Sequence, residues 1–86
     1  MTPDELRADV EALLADVSGP WAEEHREEVR VWIDRVEYPL ALETLSGVLQ
    51  EERYPLTAEQ RDRLKALAVK AKCDPRASDV DWLVGR

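Results

Sequence analysis

The chain has 86 residues, 44% hydrophobic and 36% charged, with 19 acidic and 12 basic side chains giving a formal charge of −7. That size and balance describe one soluble domain spanning 1–86, with a radius of gyration of about 12 Å, and are too apolar for a disordered segment. No apolar run approaches the ~18–20 residues that cross a bilayer. The opening Met-Thr-Pro-Asp-Glu lacks the basic and apolar regions of a secretory signal, so the expected compartment is the cytoplasm. A lone cysteine, Cys73, precludes an internal disulfide, and a lone histidine, His25, argues against a usual zinc cluster.

Five prolines, at positions 3, 20, 39, 55 and 75, punctuate the sequence. Proline suits a first helical turn and disrupts an interior, so this spacing predicts successive helices of three to four turns. The first covers 3–17, with Leu6, Val10, Leu13, Leu14 and Val17 on one stripe. Thr2 and Glu5 are placed to form a capping box. Ser18-Gly19-Pro20 ends the helix, with glycine expected in the left-handed position. The second helix starts near Pro20 or Trp21 and turns Trp21, His25, Val29, Trp32, Ile33 and Val36 inward. Its first turns carry Glu23, Glu24, Glu27 and Glu28, where carboxylates suit the helix dipole.

Val36-Glu37-Tyr38-Pro39 interrupts the pattern, and a third helix runs from Pro39 to Glu52. Leu42, Leu45, Val48 and Leu49 face inward there, and Gly47 is expected to mark a close helix contact. After Tyr54-Pro55-Leu56, Thr57 and Gln60 form a capping box opening a fourth helix through Lys72. Its stripe is Leu64, Leu67, Ala68 and Ala71, with Lys70 and Lys72 near the negative end of the dipole. Ser78 starts a short fifth helix carrying Val80, Trp82, Leu83 and Val84, with Trp82 expected to lid the core. Strand alternation is missing from the sequence. The fold expected is all-α, a compact antiparallel bundle of four helices with a short fifth C-terminal helix.

Candidates for chemistry are few. His25 lies on the inward stripe of its helix without a nucleophile or metal companion, which marks it as a histidine at the core margin. Cys73 follows a helix C-terminus, where the dipole does not activate a thiolate. Gly-rich phosphate loops, HExxH, CxxC and GxSxG patterns do not occur. No catalytic residue, cofactor or metal is expected, and recognition is the remaining function.

Charge gives that recognition a sign. Residues 1–52 hold 14 acids and 4 bases, whereas residues 53–86 hold 5 acids and 8 bases. A field of this kind repels nucleic acid and draws a basic partner. The candidate partner-binding residues are Glu24, Glu27, Glu28, Glu37, Tyr38, Glu43, Glu51, Glu52 and Tyr54, with Tyr38 or Tyr54 as an anchor inside an acidic rim.

The run Glu37-Tyr38-Pro39-Leu40-Ala41-Leu42-Glu43-Thr44-Leu45, followed by Leu49, Glu51 and Pro55-Leu56-Thr57, resembles the Maf-type immunity proteins of bacterial toxin systems. Their pattern is approximately Gly-Glu-Tyr-x-Leu-Ala-Leu-Glu-x-Leu, then Leu-x-Glu and a Pro-Ile-Ser helix start. The resemblance covers about residues 29–72 and departs from the pattern at Val36, where the family has glycine, and at Ser46, often cysteine. Within it Leu40, Ala41, Leu42 and Leu45 read as core. It implies a non-enzymatic protein that binds and neutralises a cognate toxin domain, often a basic nuclease, and is a monomer or dimer when free.

Two other readings compete. A homo-oligomeric helical adaptor would bury a face containing Trp21, Trp32 or Trp82 against a second copy. A DNA-binding helix-turn-helix protein would set the basic residues of the fourth helix in a groove, beside an acidic segment that opposes it.

Overall fold

A computed structural model describes residues 3–19, 21, 23–74 and 79–84. Four α-helices follow one another: α1 (Pro3–Val17), α2 (Glu23–Asp34), α3 (Tyr38–Glu51) and α4 (Ala58–Lys70). Among the described residues a single 3₁₀ turn, Asp81–Leu83, comes last, and no strand is found. The all-α expectation holds, and α1 has the bounds its apolar stripe predicts. The fifth helix does not form as an α-helix, and Ser78, its expected start, lies outside the described residues, as does Thr2 of the expected first capping box.

Contacts between helix ends fix the topology. Arg7, early in α1, reaches Asp34 at the end of α2 (3.2 Å), while Arg26 near the start of α2 donates to the Ser18 carbonyl beyond α1 (3.0 Å). His25 at the start of α2 meets Glu52 just past α3 (3.3 Å). Gln60 and Arg63, early in α4, hold Asp16 at the end of α1 (2.9 and 3.3 Å). The Cys73 thiol, past the end of α4, donates to the carbonyl of Pro39 at the start of α3 (3.6 Å). Each pair joins the start of one helix to the end of its neighbour, so neighbouring helices are antiparallel around a closed ring. The exposed ion pairs among these contribute little energy individually; their value here is geometric.

The ring encloses the core. Val10, Leu13, Leu14 and Val17 of α1 pack with Val29 and Ile33 of α2, Leu42, Leu45 and Leu49 of α3, and Leu64 of α4. A fully buried Leu or Val contributes ~1.5–3 kcal/mol, so the period-3.6 stripes explain why these segments are helical and why they close on one another. The radius of gyration is 11.6 Å.

Three helix ends share one device. After α2 the Val36 amide donates to Ile33 and the Glu37 amide to Trp32; after α3 Arg53 donates to Gln50 and Tyr54 to Leu49; after α4 Lys72 donates to Val69 and Cys73 to Ala68. This paired pattern is the Schellman motif, whose turning residue is left-handed and usually glycine. Here it is Val36 (φ 60°), Arg53 (φ 50°) and Lys72 (φ 59°). Gly19, where the left-handed residue was expected, is outside that region. The end of α1 instead closes with Ser18 donating to Leu14 and Trp21 donating to Ser18. Val36 is therefore exposed (58%), not inward, because α2 stops at Asp34 and the chain reverses there.

The start of α4 is as its sequence predicts. The Thr57 hydroxyl accepts from the Gln60 amide while the Gln60 side chain accepts from the Thr57 amide, both at 3.0 Å. The C-terminal segment docks beside it: the Leu56 amide donates to the Leu83 carbonyl (3.1 Å), and Asp81 accepts from Lys65 (2.8 Å). That lysine hydrogen bond holds the Asp81 carboxyl below its usual range. Val80 and Leu83 are completely buried in the core, whereas Trp82 stays 39% exposed, its indole donating to the Asp79 carbonyl. The expected aromatic lid is thus supplied by two aliphatic residues. Gly47 also departs from expectation: nothing lies within 4 Å of where a Cβ would stand, so no helix presses on it.

Candidate partner-binding face

The antiparallel pairing of α2 and α3 leaves an outward groove between them. A shallow depression of about 340 Å³ is lined there by Glu28, Val31 and Trp32 of α2 and Thr44 of α3. Helical phase extends each wall, because residues three and four apart share a face. Glu24 stands one turn before Glu28, Arg35 one turn beyond Val31, Leu40 one turn before Thr44, and Glu51 two turns after Thr44. Val31 (40% exposed) and Leu40 (39%) present apolar surface to solvent. The Arg35 guanidinium lies 5.6 Å from the centroid of the half-buried Trp32 ring, covering it as a cation–π contact.

The candidate acids do not form one patch. Glu24, Glu28 and Glu51 fall along the groove toward the end where α2 begins and α3 finishes. Glu27 is exposed and, three residues after Glu24 and four before Val31, stands on the outer side of the same wall. Glu52 sits at the acidic end with its carboxylate 3.3 Å from His25 Nε2. Glu37 belongs to the turn at the opposite end. Glu43, half-buried, lies on the other side of α3 and adds a negative charge near Cys73. Tyr54 is half-buried against the core just past α3 and keeps part of its ring at the surface.

Tyr38 is a correction. It is 6% exposed and belongs to the core, since its position at the start of α3 puts it in phase with Ala41, Leu42 and Leu45. A buried ring cannot anchor a partner. Leu40 is the converse: expected in the core, it points outward because it is one residue off that phase. Val31 and Leu40 are the residues that the inward stripes overlook. Their signal is an apolar side chain out of register with its helix's stripe.

Pairing separates these acids from the rest. Arg7 holds Glu11 and Asp34, Arg63 holds Asp16, Arg26 holds Glu23, and Lys65 and Arg61 hold Asp81. Among the described residues Glu24, Glu27, Glu28, Glu37 and Glu51 make no ion pair. Their charge is therefore not offset by contacts inside the fold.

His25 and Cys73 are both half-buried. His25 packs edge-on against Trp21 (centroids 6.5 Å apart), and its Nδ1 and the Trp21 indole nitrogen are buried without a hydrogen-bond partner. Cys73 is half-buried, and burial, followed by the nearby Glu43 charge, pushes its thiol up to about 11. A second depression, about 260 Å³ between α1 and α4, is lined by Asp9, Arg63, Ala66, Leu67 and Lys70. Among the described residues no three His, Cys, Asp or Glu side chains converge as a metal ligand set, and no helix is long and apolar enough to cross a membrane. No family model, no curated protein and no solved structure matches this chain.

Proposed function

We propose that this chain is a non-catalytic immunity protein that binds and neutralises a basic toxin domain, nuclease-like in charge, through the α2–α3 face. The observation carrying the reading is the combination on that face of exposed Val31 and Leu40 with the unpaired Glu24, Glu28 and Glu51. Apolar contact supplies affinity, and a ring of like charge selects a partner of the opposite sign and speeds its encounter. The resemblance of residues 29–72 to Maf-type immunity proteins supplies the biological class. Nucleic acid is a poor occupant for the same face, since its phosphates would meet carboxylates.

A homo-oligomeric adaptor is less well supported. Trp21, one of its proposed contact residues, is buried within the chain, and pairing two α2–α3 faces would set their acids against each other. The test is co-expression in bacteria with the C-terminal domain of the protein encoded beside this chain's gene. Growth arrest by that domain, relieved by this chain and not by its Glu24→Lys/Glu28→Lys/Glu51→Lys variant, is the expected result. A neighbouring domain that is harmless, or arrest that the wild-type chain leaves unchanged, overturns the reading.

A further inference from the structure

The α2–α3 face has a shape as well as a charge. Its walls run from Glu24 along α2 to Arg35 just past it, and from Leu40 to Glu51 on α3, twelve residues or eleven helical steps each. At 1.5 Å per residue that is ~16 Å, or about three helical turns. A groove between two adjacent helices accepts the ridge of a third helix, whose side chains three and four apart enter it in a row. Glu28, Val31 and Trp32 line the middle with Thr44, the unpaired Glu24 and Glu51 stand at one end, and the apolar Leu40 with Arg35 at the other.

We infer that this groove seats a basic amphipathic helix of the partner protein. The occupant is about three turns long, with apolar residues at i, i+3 or i+4, and i+7, and with Lys or Arg gathered over Glu24, Glu28 and Glu51. The inference rests on the proposed neutralising role only in taking the occupant from a basic partner; it adds the recognition element and its orientation. Charge complementarity selects this occupant over a second copy of the chain. A symmetric dimer through the groove brings two acidic ends or two unlike ends together with no gain in pairing for all six carboxylates. Among the described helices only α4 carries more basic than acidic residues, and it exposes Val69 as its sole large apolar residue, which leaves no row to enter the groove.

The probe is a synthetic helical peptide of about 14 residues with this pattern, compared with a scrambled peptide of the same composition and with one carrying Glu in place of Lys. Amide shifts on the wild-type chain should move along α2 and α3 with the first peptide alone, and binding should weaken as salt is raised. Leu40→Asp, an exposed position, should reduce affinity about tenfold or more, as should Glu24→Lys/Glu28→Lys/Glu51→Lys. Equal binding of the scrambled peptide, shifts confined to α1 and α4, or a dimer through the groove in sedimentation overturns the inference. The two proposals fail separately. If Leu40→Asp still relieves growth arrest as wild type does, the groove falls and neutralisation stands. If the peptide binds as described but the neighbouring domain arrests nothing, neutralisation falls and the groove stands.

Discussion

Val36 offers the sharpest test of the fold's local physics. It holds φ 60° while 58% exposed, so a β-branched residue occupies the left-handed turn after α2 with little burial in return. A non-glycine residue in that region costs ~1–2 kcal/mol. Removing the side chain forfeits less than half of the ~1.5–3 kcal/mol for a fully buried valine, about 0.5–1 kcal/mol here. Val36→Ala keeps the strained φ and loses the contact, so it should destabilise by about 0.5 kcal/mol. Val36→Gly loses the same contact but relieves the strain, and should be ~1 kcal/mol more stable than Val36→Ala. For a domain of this size that is ~4–8 °C in Tm. Ala12→Gly, at an exposed interior position of α1, is the control and should cost ~1 kcal/mol. Urea unfolding followed by circular dichroism, with m unchanged, measures all three. If Val36→Ala matches or exceeds Val36→Gly in stability, the left-handed turn is not strained and the reasoning fails.

Other outcomes follow from single features. Gly47→Ala should stabilise α3 by ~1 kcal/mol in the same assay, because the added methyl meets nothing within 4 Å; a loss would reveal a hidden contact. Leu83→Ala should cost ~2–5 kcal/mol, since Leu83 is fully buried despite lying on a short 3₁₀ turn; a cost below ~1 kcal/mol would mean the C-terminal segment is not part of the core. The Cys73 thiol, pushed from 9.0 to about 11 by burial and Glu43, should react with iodoacetamide at pH 8 far more slowly than the unfolded chain does. In that window the folded state keeps a proton that the unfolded state gives up, so stability should fall as pH rises from about 9 to about 11, and less so in Cys73→Ala.

The placement of the acidic side chains was only partly legible in the sequence. The four long helices, the bounds of α1 and the Thr57–Gln60 capping box are written in residues a few positions apart, because periodic apolar stripes and caps act within one or two turns. The set of nine candidate residues was legible as charge and aromaticity alone. Its division was not: Glu24, Glu28 and Glu51 share a groove, Glu37 and Glu43 lie elsewhere, and Tyr38 is inside the core. Those facts depend on how α2 and α3 are rotated about their axes when they pack, which is set by long-range burial of Val29, Ile33, Leu42 and Leu45 rather than by any local signal. The same holds at the chain reversals. A sequence shows where helices stop, but the closure of the ring decides that Val36, Arg53 and Lys72 take the left-handed turn and Gly19 does not. Short-range bonding therefore settles the elements of this protein, and the packing of those elements against one another settles which side chains face outward.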